Sequence, residues 1–195
     1  MIESIRAHLR LGGGVYLQIA EELAEATEEA ARLLIDAVRA GGCVYVCGDG
    51  GSAAQAQHMA GEFIGRFLKD RRPLPCVALT TDTSVLTAVA NDYEFETVFA
   101  RQVEALVHEG DVLVVLSTSG TSGNVLKAAS AANRRGAKLL GLTGRDGGKL
   151  KELCDVTLCV PADSSPPIQE GSLALIHILC GLVEQALFAE DETGA

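Results

Sequence analysis

Five short apolar runs constrain this chain more than any other feature of its sequence: CVYVC at 43–47, CVALT at 76–80, VLVVL at 112–116, KLLGLT at 138–143 and VTLCV at 156–160. Each has the length of a strand, and each is followed by a stretch of helical periodicity. These stretches fall at about 52–68, 83–107 with a break near Asn91 and Asp92, 122–135, 147–152 and 168–189. Apolar runs of this length are buried on both faces, and strands that alternate with helices close by right-handed crossovers onto a parallel sheet. The expected fold class is therefore α/β, a five-stranded parallel sheet flanked by helices on both faces. Ahead of the first run, residues 15–40 place apolar side chains every three or four positions before Gly41 and Gly42, which predicts one long amphipathic helix. Neither an internal repeat nor a linker divides the chain. One domain over 1–195 is expected, with a frayed tail from about 190.

Charge narrows the partners. With 16 Lys and Arg against 26 Asp and Glu, the formal charge is −10. Nucleic acid is held by clustered cations, which this chain lacks, so no nucleic-acid partner is expected. No apolar run reaches the roughly 20 residues that cross a bilayer, and MIESIRAHLR lacks the apolar segment of a secretory signal. A cytoplasmic location without a membrane partner is the expectation. The six cysteines form no C-x-x-C pair and sit in apolar surroundings, as buried thiols do.

Two turns stand out. The first strand runs into GDGGS and then a helix; the third runs into STSGTSG and then a helix. Glycine lets backbone N–H groups approach an anion, and a helix start adds unpaired donors at the positive end of its dipole. Five hydroxyl residues in the six positions 117–122 exceed what one helix cap needs. In an open α/β sheet such turns lie at the carboxyl ends of the strands, where ligands bind. The first turn matches neither the dinucleotide fingerprint nor the P-loop, so a phosphate outside a nucleotide is indicated.

His58 and Glu62 are four residues apart and share one helix face, which suits a metal ion or a proton transfer. Alone, H-x-x-x-E is more often a surface pair, and a single histidine on an apolar face, such as His177 in SLALIHILCGLV, is usually a satisfied core residue. The turn at the helix start changes the weighing. Ten residues at about 1.5 Å each put Glu62 roughly 15 Å from Ser52, enough to hold the far end of an extended sugar phosphate.

These residues carry a resemblance. Through CGDGGSAAQAQHMAGEFIGRF, TAVANDYEFETVFARQVEAL, GDVLVVLSTSGTSGNVLKAA, LTGRDGGKL and IQEGSLALIHILC, nearly the whole chain resembles the phosphoheptose isomerases (sedoheptulose 7-phosphate isomerases) of the sugar-isomerase (SIS) fold. The resemblance implies a cytoplasmic homotetramer with active sites near subunit interfaces, and Zn2+ held by His58, Glu62, Gln169 and His177. It implies substrate contacts from Asp49, Gly50, Gly51, Ser52, Glu62, Asn91, Asp92, Ser117, Thr118, Ser119, Ser122 and Gln169, with Arg66 as a cation near the sugar phosphate. It further implies conversion of sedoheptulose 7-phosphate to D-glycero-D-manno-heptose 7-phosphate through an enediol or enediolate, with Glu62 as base and His177 as acid/base. Asp49 and Thr121 stand where the family usually has Asn, Pro167 where it has Arg, and Ser172 where it has His.

One geometric expectation follows. Eight helical residues separate Gln169 from His177 by about 12 Å and about 80°, so one ion cannot easily reach both. Either Gln169 lies in an irregular first turn, or the two ligands come from different subunits. Two rivals share the fold: a noncatalytic SIS protein associating with a replication initiator, and an isomerase or sensor for another sugar phosphate.

Overall fold

The computed structural model describes residues 1–189, and the tail expected to fray from about 190 lies outside the described residues. Each apolar run forms a strand: β1 (Val44–Gly48), β2 (Cys76–Ala78), β3 (Val112–Ser117), β4 (Lys138–Gly144) and β5 (Val156–Val160). They pair in parallel in the order β2-β1-β3-β4-β5. From β1 the chain crosses one way to β2; from β3 it steps the other way to β4 and β5. The order therefore reverses beside β1 and β3, the place where an open α/β sheet binds its ligand.

Side chains alternate across this sheet. Val44 and Val46 of β1, Val112, Val114 and Leu116 of β3, and Leu140 and Leu142 of β4 enter one core. Cys47, Leu113, Val115 and Leu139 enter the other. The first core is closed by α1 (Ile2–Glu22), α2 (Ala24–Arg39), α3 (Gly51–Ile64) and α7 (Ser165–Leu187). The second is closed by α5 (Ala100–Leu106) and α6 (Gly123–Arg134), with α4 (Thr83–Asp92) leaning on its rim. Short 3₁₀ turns occupy Phe95–Thr97 and Gly148–Glu152. The arrangement is the expected α/β layering, a five-stranded parallel sheet with helices on both faces.

The single long helix over 15–40 is corrected. The chain turns at Leu23, with φ −115 and ψ 1, and the helical path splits into α1 and α2. The Leu23 carbonyl accepts both the Thr27 N–H at 2.8 Å and the Thr27 hydroxyl at 2.7 Å, a side-chain bond of the kind that bends helices. Packing fixes the bend: Val15 and Ile19 of α1 meet α7, whereas Ala30, Leu34 and Val38 of α2 lie in the sheet core. α1 also reaches back to Ile2 through the glycine triplet 12–14, whose low helix propensity hid it in the sequence.

By length and composition α7 could cross a membrane, yet Leu175, Ile176, Leu179 and Val183 are wholly buried in the first core. It is a core helix of this domain.

Candidate active site

β1 and β3 are hydrogen-bonded neighbours, Gly48 opposite Leu116, so the two Gly/Ser turns emerge side by side at the carboxyl edge of the sheet. In the first turn Gly50 takes φ 55 and ψ −118, a backbone region that glycine tolerates best. Asp49 is tied across to the second turn's helix, accepting from Asn124 Nδ2 at 2.7 Å. Ser52 is buried in the first turn of α3.

Four of the second turn's five hydroxyls pair with one another. Ser117 and Ser122 lie 3.1 Å apart through their Oγ atoms, and Ser119 Oγ accepts from the Thr121 hydroxyl at 2.9 Å. Thr118 Oγ1 is 3.3 Å from Ser165 Oγ at the start of α7. Ser122, the N-cap of α6, makes no side-chain capping bond, so these hydroxyls are not consumed by the helix. Gly120, at φ 63, lies so close to the Gly147 carbonyl that a Cβ would overlap it, which locks this turn against the turn after β4.

Asn91 and Asp92 end α4, exposed and joined by a 2.8 Å bond from Asn91 Nδ2 to Asp92 Oδ1. The 3₁₀ turn that follows packs on α6, where Lys127 is paired with Glu94 and Glu96.

α3 and α7 run side by side in the same direction, and their contacts form three levels. At the first, the Gln169 amide lies against Gly51, where a Cβ would come within 2.5 Å of it, and Gln55 Nε2 donates to the Gln169 carbonyl at 2.6 Å. Gln55 Oε1 is buried there without a partner among the described residues. At the second, His58 Nε2 lies 2.9 Å from His177 Nε2 and 3.2 Å from Glu62 Oε1. One ligand atom from each of these three residues falls within 4.8 Å of the others. The His58 and Glu62 side chains remain 40% and 24% exposed, open to a ligand. At the third, Glu184 of α7 accepts from the loop that follows α3.

Gln169 therefore sits on the regular part of α7, so of the two arrangements expected for it the irregular first turn is excluded. Within one chain it faces the start of α3, not the His58–Glu62–His177 triangle, because the intervening turns hold it about 12 Å back along α7. Arg66 follows the end of α3, on the triangle's side and not beside the Gly/Ser turns; its Nη1 donates to the Leu68 carbonyl at 3.4 Å. Pro166 and Pro167 occupy the first turn of α7, where a missing N–H is harmless, and the Ser172 hydroxyl donates to the Ile168 carbonyl.

Sequence reasoning missed Asn124, Gln55, Arg71 and Glu184. Glu184 left a signal, a carboxylate interrupting the apolar periodicity of α7; Arg71, in KDRRP, left none. The cysteines are free, and burial pushes the Cys154 and Cys180 thiols up to about 12, which keeps them unreactive.

A SIS domain model matches residues 13–144. The phosphoheptose isomerase of Geobacter sulfurreducens is 52% identical over 188 residues, covering 96% of this chain and all of that protein. That of Geotalea daltonii is 50% identical over 190 residues, covering 97% and 99%. Among solved structures, phosphoheptose isomerase GmhA from Neisseria gonorrhoeae superposes with a TM-score of 0.90 at 44% identity, over 94% of this chain and 98% of that one. The chain belongs to the SIS-domain family and, within it, to the phosphoheptose isomerases.

Proposed function

We propose that this chain is an aldose–ketose isomerase that converts sedoheptulose 7-phosphate to D-glycero-D-manno-heptose 7-phosphate. The observation that carries the reading is the meeting of His58, Glu62 and His177 on one helix seam, beside two turns rich in amide and hydroxyl donors. The phosphate rests among the N–H groups and hydroxyls of 49–52 and 117–122; with a net charge of −10 the attraction is local. The Glu62 carboxylate takes a proton from C1, and the carbonyl oxygen at C2 takes up the electron pair, giving the enediol or enediolate. His177 then returns a proton to C2 while the proton of the C1 hydroxyl passes to the C2 oxygen, leaving the aldehyde at C1 and a hydroxyl at C2. Such general acid–base work needs both groups within reach of adjacent carbons, which the seam supplies.

The donor set fits Zn2+. A tetrahedral zinc holds its ligands at about 2.0–2.1 Å, hence roughly 3.4 Å from one another, close to the separations found between His58 and His177 and between His58 and Glu62. Two imidazoles and one carboxylate leave a fourth position, which Gln169 of a second copy would fill. When bound, the ion would supply a positive charge to the substrate's oxygens, and Glu62 acts as base only where its carboxylate is not held as a tight ligand. A homotetramer is supported by an apolar face that one chain leaves open, Ile2, Ile5, Leu9 and Leu17 along α1. A cytoplasmic setting agrees with this reading. The presence and meeting of Glu62 and His177 speak against the noncatalytic rival.

The test is turnover of sedoheptulose 7-phosphate beside fructose 6-phosphate and ribulose 5-phosphate, with and without a chelator. The heptulose phosphate should give the highest kcat/KM, and chelation should slow it. Preference for a shorter ketose would reassign the substrate, and no turnover of any would sink the isomerase reading.

A further inference from the structure

Beyond the triangle, the third level of the α3–α7 seam is a buried ion pair that the proposed chemistry does not use. Arg71 and Glu184 side chains are 2% and 3% exposed, with Nε and Oε2 3.1 Å apart. Arg71 Nη2 donates to the Glu62 carbonyl at 2.8 Å and Nη1 to the Phe63 carbonyl at 2.7 Å, carbonyls in the last turn of α3. Glu184 Oε1 accepts from the N–H groups of Leu68 and Lys69 at 2.9 and 2.8 Å, and Oε2 from that of Phe67 at 3.1 Å. The Phe67 ring in turn stands 5.8 Å from the His177 ring. With His58 lying against both the His177 imidazole and the Glu62 carboxylate, these contacts close a ring: the Glu62 backbone, Arg71, Glu184, two turns of α7, His177 and His58.

Carbonyls at a helix end can be satisfied by water, and apolar side chains would fill this space without the cost of desolvating two charges. What the pair provides instead is direction. A guanidinium bonded at three nitrogens holds the end of α3 at a fixed distance and angle from α7. We infer that Arg71 and Glu184 are positioning residues that set the separation of the Glu62 carboxylate from the His177 imidazole. The consequence for turnover rests on the isomerase reading; the geometry does not.

Three variants test it. Arg71→Lys keeps a cation beside Glu184 but cannot bond both carbonyls in one plane. Glu184→Gln removes the charge alone. The paired Arg71→Met, Glu184→Gln variant removes both charges, the change that usually restores stability to a broken buried pair. In folded variants kcat should fall by roughly 10–100-fold with KM within about twofold, and the paired variant should regain its thermal midpoint without regaining kcat. The 15N NMR signals of the His58 and His177 imidazoles should shift in all three. Parental kcat in folded Arg71→Lys or in the paired variant overturns the inference, as does failure of all three to fold, which a purely structural role explains. Unchanged imidazole signals overturn it even if the parent chain turns over no heptulose phosphate, a result that would count separately against the isomerase reading.

Discussion

The two ends of the α3–α7 seam are built on opposite principles. At its start, neutral groups meet loosely: Gly50 and Gly51 are exposed, Gln55 makes one bond to the Gln169 carbonyl, and Gln55 Oε1 is left without a partner among the described residues. A buried unpaired acceptor costs about 1–3 kcal/mol. At the other end, the Glu184 carboxylate takes four bonds and Arg71 reaches the last-turn carbonyls of α3. One end has groups to spare for a ligand; at the other the Arg71 and Glu184 groups are engaged with each other and with the backbone. The triangle of His58, Glu62 and His177 lies between them, anchored on the closed side and accessible from the open one.

The largest effect expected along this seam is at its middle. Glu62→Gln and His177→Gln should each cut kcat by roughly 10²–10⁴-fold with unchanged thermal midpoints; near-parental kinetics would remove that residue from the chemistry. Next comes the contrast between the ends. Glu184→Ala strands a buried guanidinium and should cost about 3–5 kcal/mol in urea unfolding, whereas Gln55→Ala should cost no more than about 1 kcal/mol. Equal losses would erase the distinction drawn between them. Gly51→Ala pushes on the Gln169 amide, which can move, so KM should rise severalfold while the urea midpoint holds.

The smallest effect is in acid. Burial works to raise the Glu184 carboxyl, but the N–H groups of Leu68, Lys69 and Phe67 and the Arg71 guanidinium outweigh it and hold it below the usual carboxylate range. A carboxyl lowered in the folded state stabilises the chain above its unfolded value, and that contribution is lost as pH falls through the folded value. Below about pH 4.3 the parent should therefore lose stability faster than Glu184→Gln, as urea midpoints measured across that range would reveal.

Strand positions were legible because each apolar run is short, continuous and bounded by turn residues; β1 to β5 fall within two residues of their expected limits. The break at Leu23 was not, since apolar spacing continues through it and only packing against α7 and the sheet decides the turn. In the site, the i,i+4 spacing announced the His58–Glu62 pair. The offset of Gln169 from His177 was also readable, as eight residues of a rigid helix. Arg71 was invisible for a physical reason: next to Arg72 and Asp70 it reads as a solvated surface, and only the return of α7 brings Glu184 over it.

We propose that two groups on two helices handle the two protons, Glu62 at C1 and His177 at C2. Isomerisation run in D2O, with the product read by NMR, tests it most directly. Because the proton taken by one group is not the proton returned by the other, the aldose should carry one deuterium at C2. An aldose without deuterium would mean that hydrogen passes directly from C1 to C2, and would contradict the paired roles assigned to this seam.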